Sequence, residues 1–194
     1  MFNKDSGRGL IIGLLLGSVL GYFLANLASR GPAVQTTVAA PAAPAPGVPA
    51  APTASTEVQS RIFAAQQALQ ADPKNTAAWI SLGNDYFDSG KPQQSVDAYA
   101  KALELDPNNP DVLTDQGVMY RDLKAFDKAI ANWEKAQKIN PKHVQSLYNL
   151  GVVYSHDMKQ PDKARKAWSR LIEIAPDSPQ AAQAKEGLAA LGAK

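Results

Sequence analysis

One spacing constrains this chain more than any other property: Gly83, Gly117 and Gly151 recur every 34 residues, and Tyr86, Tyr120 and Tyr154 recur with them. Pro73, Pro107 and Pro141 keep the same interval and Pro176 follows after 35, while Ala68, Ala102, Ala136 and Leu171 each stand five residues before one of these prolines. Trp79, Leu113 and Leu147 open successive units, and Tyr99, Trp133 and Trp168 mark their second halves. A period of this length means tandem copies of one supersecondary unit, none of which can bury its apolar face alone. The residue types state how such a unit is built. Small residues such as Gly83 and Ala102 stand where two helices cross closely, a large aromatic fills the space beside them, and proline ends the second helix because it lacks an N–H. A bulky residue at Gly83 is therefore predicted to be badly tolerated.

First helices are predicted near residues 76–89, 110–122 and 144–155, and second helices near 92–104, 126–138 and 161–173. Asp72-Pro73, Asp106-Pro107 and Asn140-Pro141 punctuate the turns between units. The third unit carries one extra residue between Ser155 and Pro161, which predicts a longer internal turn with a local bulge. The run from Trp79 through Leu82 and Gly83 to Tyr86, followed by Tyr99, Ala102 and Pro107, resembles the tetratricopeptide repeat (TPR) family. The resemblance covers residues 57–194 and implies an all-α helix-turn-helix solenoid. Three full repeats, at 76–109, 110–143 and 144–177, are then flanked by a single helix at 57–73 and a capping helix at 178–194. The single helix turns Ile62, Ala65, Ala68 and Leu69 inward, and the alanine-rich cap interleaves Ala182 with Lys185 and Glu186, the polar face a stacked array needs at its end.

Ahead of the repeats the composition changes twice. From Leu10 to Ala28 the chain is uncharged and mostly apolar, and these 19 residues would rise roughly 29 Å as a helix, against a hydrocarbon core of about 30 Å. Residues 10–29 are read as a transmembrane anchor. A cleaved secretory signal would have a shorter apolar region and a small-x-small site; this stretch is long for that role and lacks a clear Ala-x-Ala, which favours an uncleaved anchor. Lys4 and Arg8 precede it and Arg30 alone follows closely, so residues 1–9 are expected in the cytoplasm and the repeats on the periplasmic face of a bacterial inner membrane, with a single pass. Gly9, Gly13, Gly17 and Gly21 align on one side of that helix and form a candidate packing seam for a partner or a second copy of the chain. Residues 30–56 hold six of the 14 prolines, no apolar period and no charge after Arg30, which predicts a disordered Pro/Ala-rich linker.

Charge and chemistry exclude several functions. Residues 57–194 hold 17 of the 20 Lys/Arg and 17 of the 18 Asp/Glu, so the repeat region is formally neutral and offers no nucleic acid surface. The chain has no cysteine, hence no disulfide, thiolate metal site, Cys nucleophile or covalently attached c-type haem. His143 and His156, the two histidines, stand 13 residues apart without metal-ligand spacing, and both are read as surface residues. His156 and Asp157 are adjacent on a turn and do not define a nucleophile, base and orienter. Asp85, Asp88, Asp111, Asp115 and Asp122 are read as carboxylates of the first helices that are solvated and pair with Lys or Arg. No phosphate-binding glycine loop and no H-E-x-x-H motif is present. No catalytic residue, metal site or cofactor is expected, and the chain is read as a non-enzyme.

The resemblance implies instead that a peptide binds along an inner groove lined mainly by the first helices. Carried over residue by residue, the groove positions are Ile80, Asn84 and Phe87 in the first unit, Thr114, Val118 and Arg121 in the second, and Tyr148, Asn149, Val152 and Ser155 in the third. Asn84 and Asn149 are candidates to hydrogen-bond a peptide main chain and Arg121 to meet a carboxylate. The cationic clamp by which some TPR proteins hold a C-terminal carboxylate is expected to be absent, since Ile80, Gln145 and Asn149 stand where cations would be needed. The expected function is a membrane-anchored adaptor that holds a partner protein or peptide outside the cytoplasm. Its architecture is similar to that of the membrane-anchored TPR subunits of bacterial cytochrome c maturation. The alternative is a structural scaffold of an envelope assembly, such as a pilus, secretion or division complex, with no peptide capture.

Overall fold

The computed structural model describes residues 54–192, which form eight α-helices and no strand. They are α1 (Ala54–Ala71), α2 (Thr76–Asp88), α3 (Pro92–Leu105), α4 (Pro110–Asp122), α5 (Phe126–Ile139), α6 (Val144–Val152), α7 (Pro161–Ile174) and α8 (Pro179–Gly192), with a π-helical turn at Val153–Asp157 after α6. No helix among the described residues is long and apolar enough to cross a membrane. The expected anchor at 10–29 with its glycine seam, the segment 1–9 and linker residues 30–53 lie outside the described residues. Helix α1 begins at Ala54, three residues inside the predicted linker. The last proline of the linker is Pro52 and the next is Pro73, so every residue from Thr53 to Asp72 has an N–H to give, and Ser60 Oγ donates to the Thr56 carbonyl near the start of the helix.

Each helix packs on its chain neighbours, α2 on α3, α4 on α5 and α6 on α7, while α4 also meets α6 and α6 meets α8. The contact that sets the crossing is the one the period announced. A Cβ built on Gly83 would stand 2.5 Å from the Tyr99 ring, and one on Gly117 would stand 2.5 Å from Trp133 Nε1. At Gly151 a Cβ would collide with Trp168, and one on Gly187 of α8 would stand 2.6 Å from Cη2 at the far edge of the same indole. The aromatic polar atoms are satisfied by the helix they lie on. Tyr99 donates to Asn84 Oδ1 (2.7 Å), Trp133 Nε1 to the Thr114 carbonyl (3.0 Å) and Trp168 Nε1 to the Tyr148 carbonyl (3.2 Å). Such pairing removes the desolvation penalty that a buried indole or phenol would otherwise carry. Around this seam from α5 to α8 one core cluster buries Trp133, Leu147, Val153, Trp168, Leu171 and Ala181 together.

The helix ends repeat as faithfully as the core. Asn75, Asn109, His143 and Ser178 precede α2, α4, α6 and α8 at steps of 34, 34 and 35, and each side chain accepts a backbone N–H three residues on, at 3.0 to 3.3 Å. Asp72, Asp106 and Asn140 each accept from the N–H two residues ahead and so fold the Asx-Pro turns between units. Inside the hairpins, Gly90, Lys124 and Lys159 take left-handed backbone conformations at φ 63, 61 and 53°. The following N–H then closes on the repeating tyrosine, Lys91 to Tyr86 and Ala125 to Tyr120. In the third hairpin the equivalent bond runs from Gln160 to Tyr154, one residue longer. The extra residue predicted as a bulge is taken up in the π-helical turn, so the left-handed Lys159 keeps its place before α7. The three tyrosines are also covered alike, with Lys91, Lys128 and Lys163 ammonium groups 5.8, 5.4 and 5.2 Å from the ring centres.

Candidate functional site

Since α2, α4 and α6 are the first helices of their hairpins, residues one turn apart along each of them share a face. The structure distributes the ten groove residues unequally between surface and packing. Asn84 is exposed, with its carbonyl fixed by Tyr99 and its amide nitrogen unpaired among the described residues. Ile80 and Phe87 are half-buried against Tyr99 and Val112, and Val118 is half-buried against both the core around Tyr99 and Val112 and the core around Trp133 and Trp168. Thr114 is 1% exposed and its hydroxyl donates to the Pro110 carbonyl at 2.8 Å, so it belongs to the junction between units and offers nothing to a ligand.

The third unit is more closed than the first. Asn149 is buried, its Oδ1 accepts from Gln145 Nε2 (3.1 Å), and its Nδ2 has no partner among the described residues. Gln145 in turn accepts from Gln180 of α8 at 3.2 Å. These amides stitch the cap to α6, which removes Asn149 from the exposed positions the sequence assigned to it. Arg121 does meet a carboxylate, but an internal one: its Nε lies 2.5 Å from Asp157 Oδ2 in the π-helical turn. Tyr148 and Val152 remain half-buried against the core, and Ser155 Oγ bonds the Val152 carbonyl and lies 2.6 Å from His156 Nδ1.

The open part of the face is a cleft of about 270 Å³ lined by Asn84, Phe87 and Asp88 of α2, Tyr99 of α3 and Asp115 of α4. Small-molecule pockets run to roughly 300–1,000 Å³, so this one suits a side chain better than a whole organic ligand. Of the carboxylates read as solvated or paired with Lys or Arg, Asp85 is paired as expected and Asp115 departs from the reading. Asp85 is buried and held by Arg61 Nε at 2.6 Å, tying α2 to α1. Asp115 is half-buried with no hydrogen bond or cation partner among the described residues. Burial first, then the Asp111 carboxylate, push Asp115 up to about 6, with His143 acting in the opposite direction. Burial, then the charge of Asp115, also raise the Tyr99 hydroxyl, with Asp88 adding less.

His143, expected at the surface, is instead the cap of α6 and only 12% exposed at its side chain. Ser146 N–H donates to Nδ1, so the ring proton belongs on Nε2, which faces Asp111 Oδ1 at 2.9 Å. The Asn-Asn-His-Ser register of caps would have identified it. Among the described residues no group of His, Asp and Glu is placed to hold a metal ion.

Residues 46–180 match the family described as the cytochrome c-type biogenesis protein H TPR domain. No curated protein is significantly similar in sequence. Among solved structures, two crystal structures of MamA are similar, at 24% and 26% identity with TM-scores of 0.60 and 0.61. They cover 74% and 71% of this chain, and the chain covers 90% and 76% of theirs. The first TPR of Spaghetti (RPAP3), bound to the HSP90 peptide SRMEEVD, aligns at 24% identity and a TM-score of 0.56, over 61% of this chain and 93% of that one. The glycine-aromatic seam, the hairpin geometry and a family match over more than two thirds of the sequence agree: the chain belongs to the cytochrome c-type biogenesis protein H TPR domain family.

Proposed function

We propose that the chain is a membrane-anchored, non-enzymatic adaptor that holds an extended segment of a partner protein along the face of α2, α4 and α6, outside the cytoplasm, in the service of cytochrome c maturation. The observation that carries the reading is the match of residues 46–180 to the biogenesis TPR domain. The geometry supports it: Asn84, Phe87 and Asp88 stand at an open cleft while the polar atoms of the crossing aromatics are already satisfied within the array. The fold itself holds a short peptide in the RPAP3 domain. The apolar run at 10–28 and the proline-rich stretch after it, read as anchor and tether, would raise the local concentration of a bound partner at the membrane, so modest affinity suffices. Chemistry at the haem-attachment cysteines would belong to other proteins.

Calorimetry of the full-length chain with haem-free and haem-loaded cytochrome c tests this. The haem-free form should bind, the compact loaded form should bind more weakly, and the Asn84→Ala/Tyr148→Ala double variant should lose affinity by about tenfold. Equal binding by wild type and variant would count against the groove.

A further inference from the structure

The charges on this array are not spread evenly over its two sets of helices. Helices α2, α4 and α6 with the following π-helical turn hold six aspartates and a single cation, Arg121, which is already engaged by Asp157. Helices α3, α5 and α7 hold eight Lys/Arg and six Asp/Glu. Within the acidic set, Asp85 is neutralised by Arg61 and Asp111 faces His143. Asp88, Asp115 and Asp122 remain without a hydrogen bond or ion pair among the described residues, and of these Asp88 and Asp115 stand on different helices at the same cleft. The cleft has two further properties. Its other lining residues are the aromatic rings of Phe87 and Tyr99 and the amide of Asn84, a combination that favours a cation with an apolar stem. A half-buried carboxylate with no partner is also costly, and the upward shift of Asp115 records that cost.

We propose that the cleft between α2 and α4 is a receptor for one cationic side chain of the partner, with Asp88 and Asp115 meeting the charge and Phe87 and Tyr99 flanking the stem. This deepens the adaptor reading and rests on it: the partner segment is one that presents a lysine or arginine toward the first hairpin. Binding of such a side chain would draw Asp115 fully into its ionised form and relieve its isolation, so the site gains on binding what it forgoes when free.

The test uses the isotope-labelled full-length chain, in mild detergent, and fragments in place of the unidentified partner. Backbone and Asn84 side-chain resonances are followed on titration with Nα-acetyl-arginine methylamide, with the neutral isostere Nα-acetyl-citrulline methylamide, and with magnesium chloride. Arginine should give saturating shifts centred on residues 84–88 and 115, with citrulline at least about tenfold weaker and Asp115→Asn or Asp88→Asn weakening arginine by about fivefold or more. Each variant is checked for unchanged resonances in α6 to α8, so that loss of binding is separated from loss of fold. Equal binding of citrulline, shifts spread evenly over exposed acids such as Asp106 and Asp127, or saturation of the same residues by magnesium in preference to arginine would each overturn the proposal. Because no cytochrome is present, failure here leaves the calorimetric result untouched, and failure of haem-free cytochrome c to bind leaves this titration readable.

Discussion

In the α2–α3 hairpin the aromatic over the glycine is Tyr99, tied through its hydroxyl to an exposed asparagine side chain; in the α6–α7 hairpin it is Trp168, tied to a main-chain carbonyl and gripped by Gly151 on one side and Gly187 on the other. The inner face follows suit. Around the first hairpin Asn84, Phe87 and Asp88 line an open cleft, whereas in the third Asn149 is buried, Arg121 and Asp157 are paired, and the cap is stitched on by Gln145 and Gln180. One lock therefore serves two ends of different character. The end that receives α8 is braced, and the end near α1, though tied by Arg61 and Asp85, leaves Asp88 and the Asn84 amide nitrogen without a partner among the described residues. A solenoid whose units interact only with their neighbours permits this difference, because bracing one junction does not stiffen the next but one.

Substitution at the lock should give the largest effects and rank the two hairpins. Gly151→Ala has no direction in which to relax and should cost about 3 kcal/mol in denaturant unfolding, against about 2 kcal/mol for Gly83→Ala, where the Tyr99 ring is held by a movable side chain. Equal costs would mean that the α8 brace adds nothing. Arg121→Ala, which strands the mostly buried Asp157, should lose about 1.5 kcal/mol, and a double-mutant cycle with Asp157→Ala should recover most of that as coupling.

At the open end the sign reverses. Asp115 titrates near 6 in the folded chain against an ordinary 3.8, so the folded state holds a proton that the unfolded chain has released. Stability should therefore rise as pH falls from about 7 toward about 4. Asp115→Asn should remove that slope and, after allowance for solvent screening, stabilise the chain at pH 7 by about 1 kcal/mol, as followed by thermal unfolding across pH. The smallest effect concerns the hairpin turns. Lys124→Gly and Lys159→Gly, which relieve left-handed backbone that Gly90 adopts freely, should each stabilise by about 0.5 kcal/mol, and a loss at either would show that the lysine side chain matters more than its backbone.

What was legible in the sequence is what the backbone crossing dictates. A 34-residue interval between glycines, with an aromatic 16 or 17 residues beyond each, can be satisfied by little except stacked hairpins, and the extra residue before Pro161 announced a local insertion whose π-helical form it did not specify. The caps at 75, 109, 143 and 178 carried the same period and were open to the same reasoning, but His143 disguised the series by replacing asparagine with a residue of different chemistry and the same role. The face was less legible. Position within a repeat says which side of a helix a residue occupies, not whether its neighbour has already claimed it, and so Thr114, Arg121 and Asn149 were assigned to a ligand while Pro110, Asp157 and Gln145 hold them. Asp115 was invisible for the converse reason: its significance lies in the partner it lacks, which only the packing of α2, α3 and α4 reveals.

The central claim is that the face of the first helices, and its open end above all, is where the partner lies. Replacing Phe87 with a photoreactive benzoylphenylalanine, and in a parallel chain placing the same residue at the exposed Lys135 of α5, allows both faces to be interrogated in living cells. The account predicts a discrete cross-linked species from position 87, lost when Asn84 and Tyr148 are both changed to alanine, and none from position 135. Cross-linking from position 135 alone, or equally from both, would contradict it.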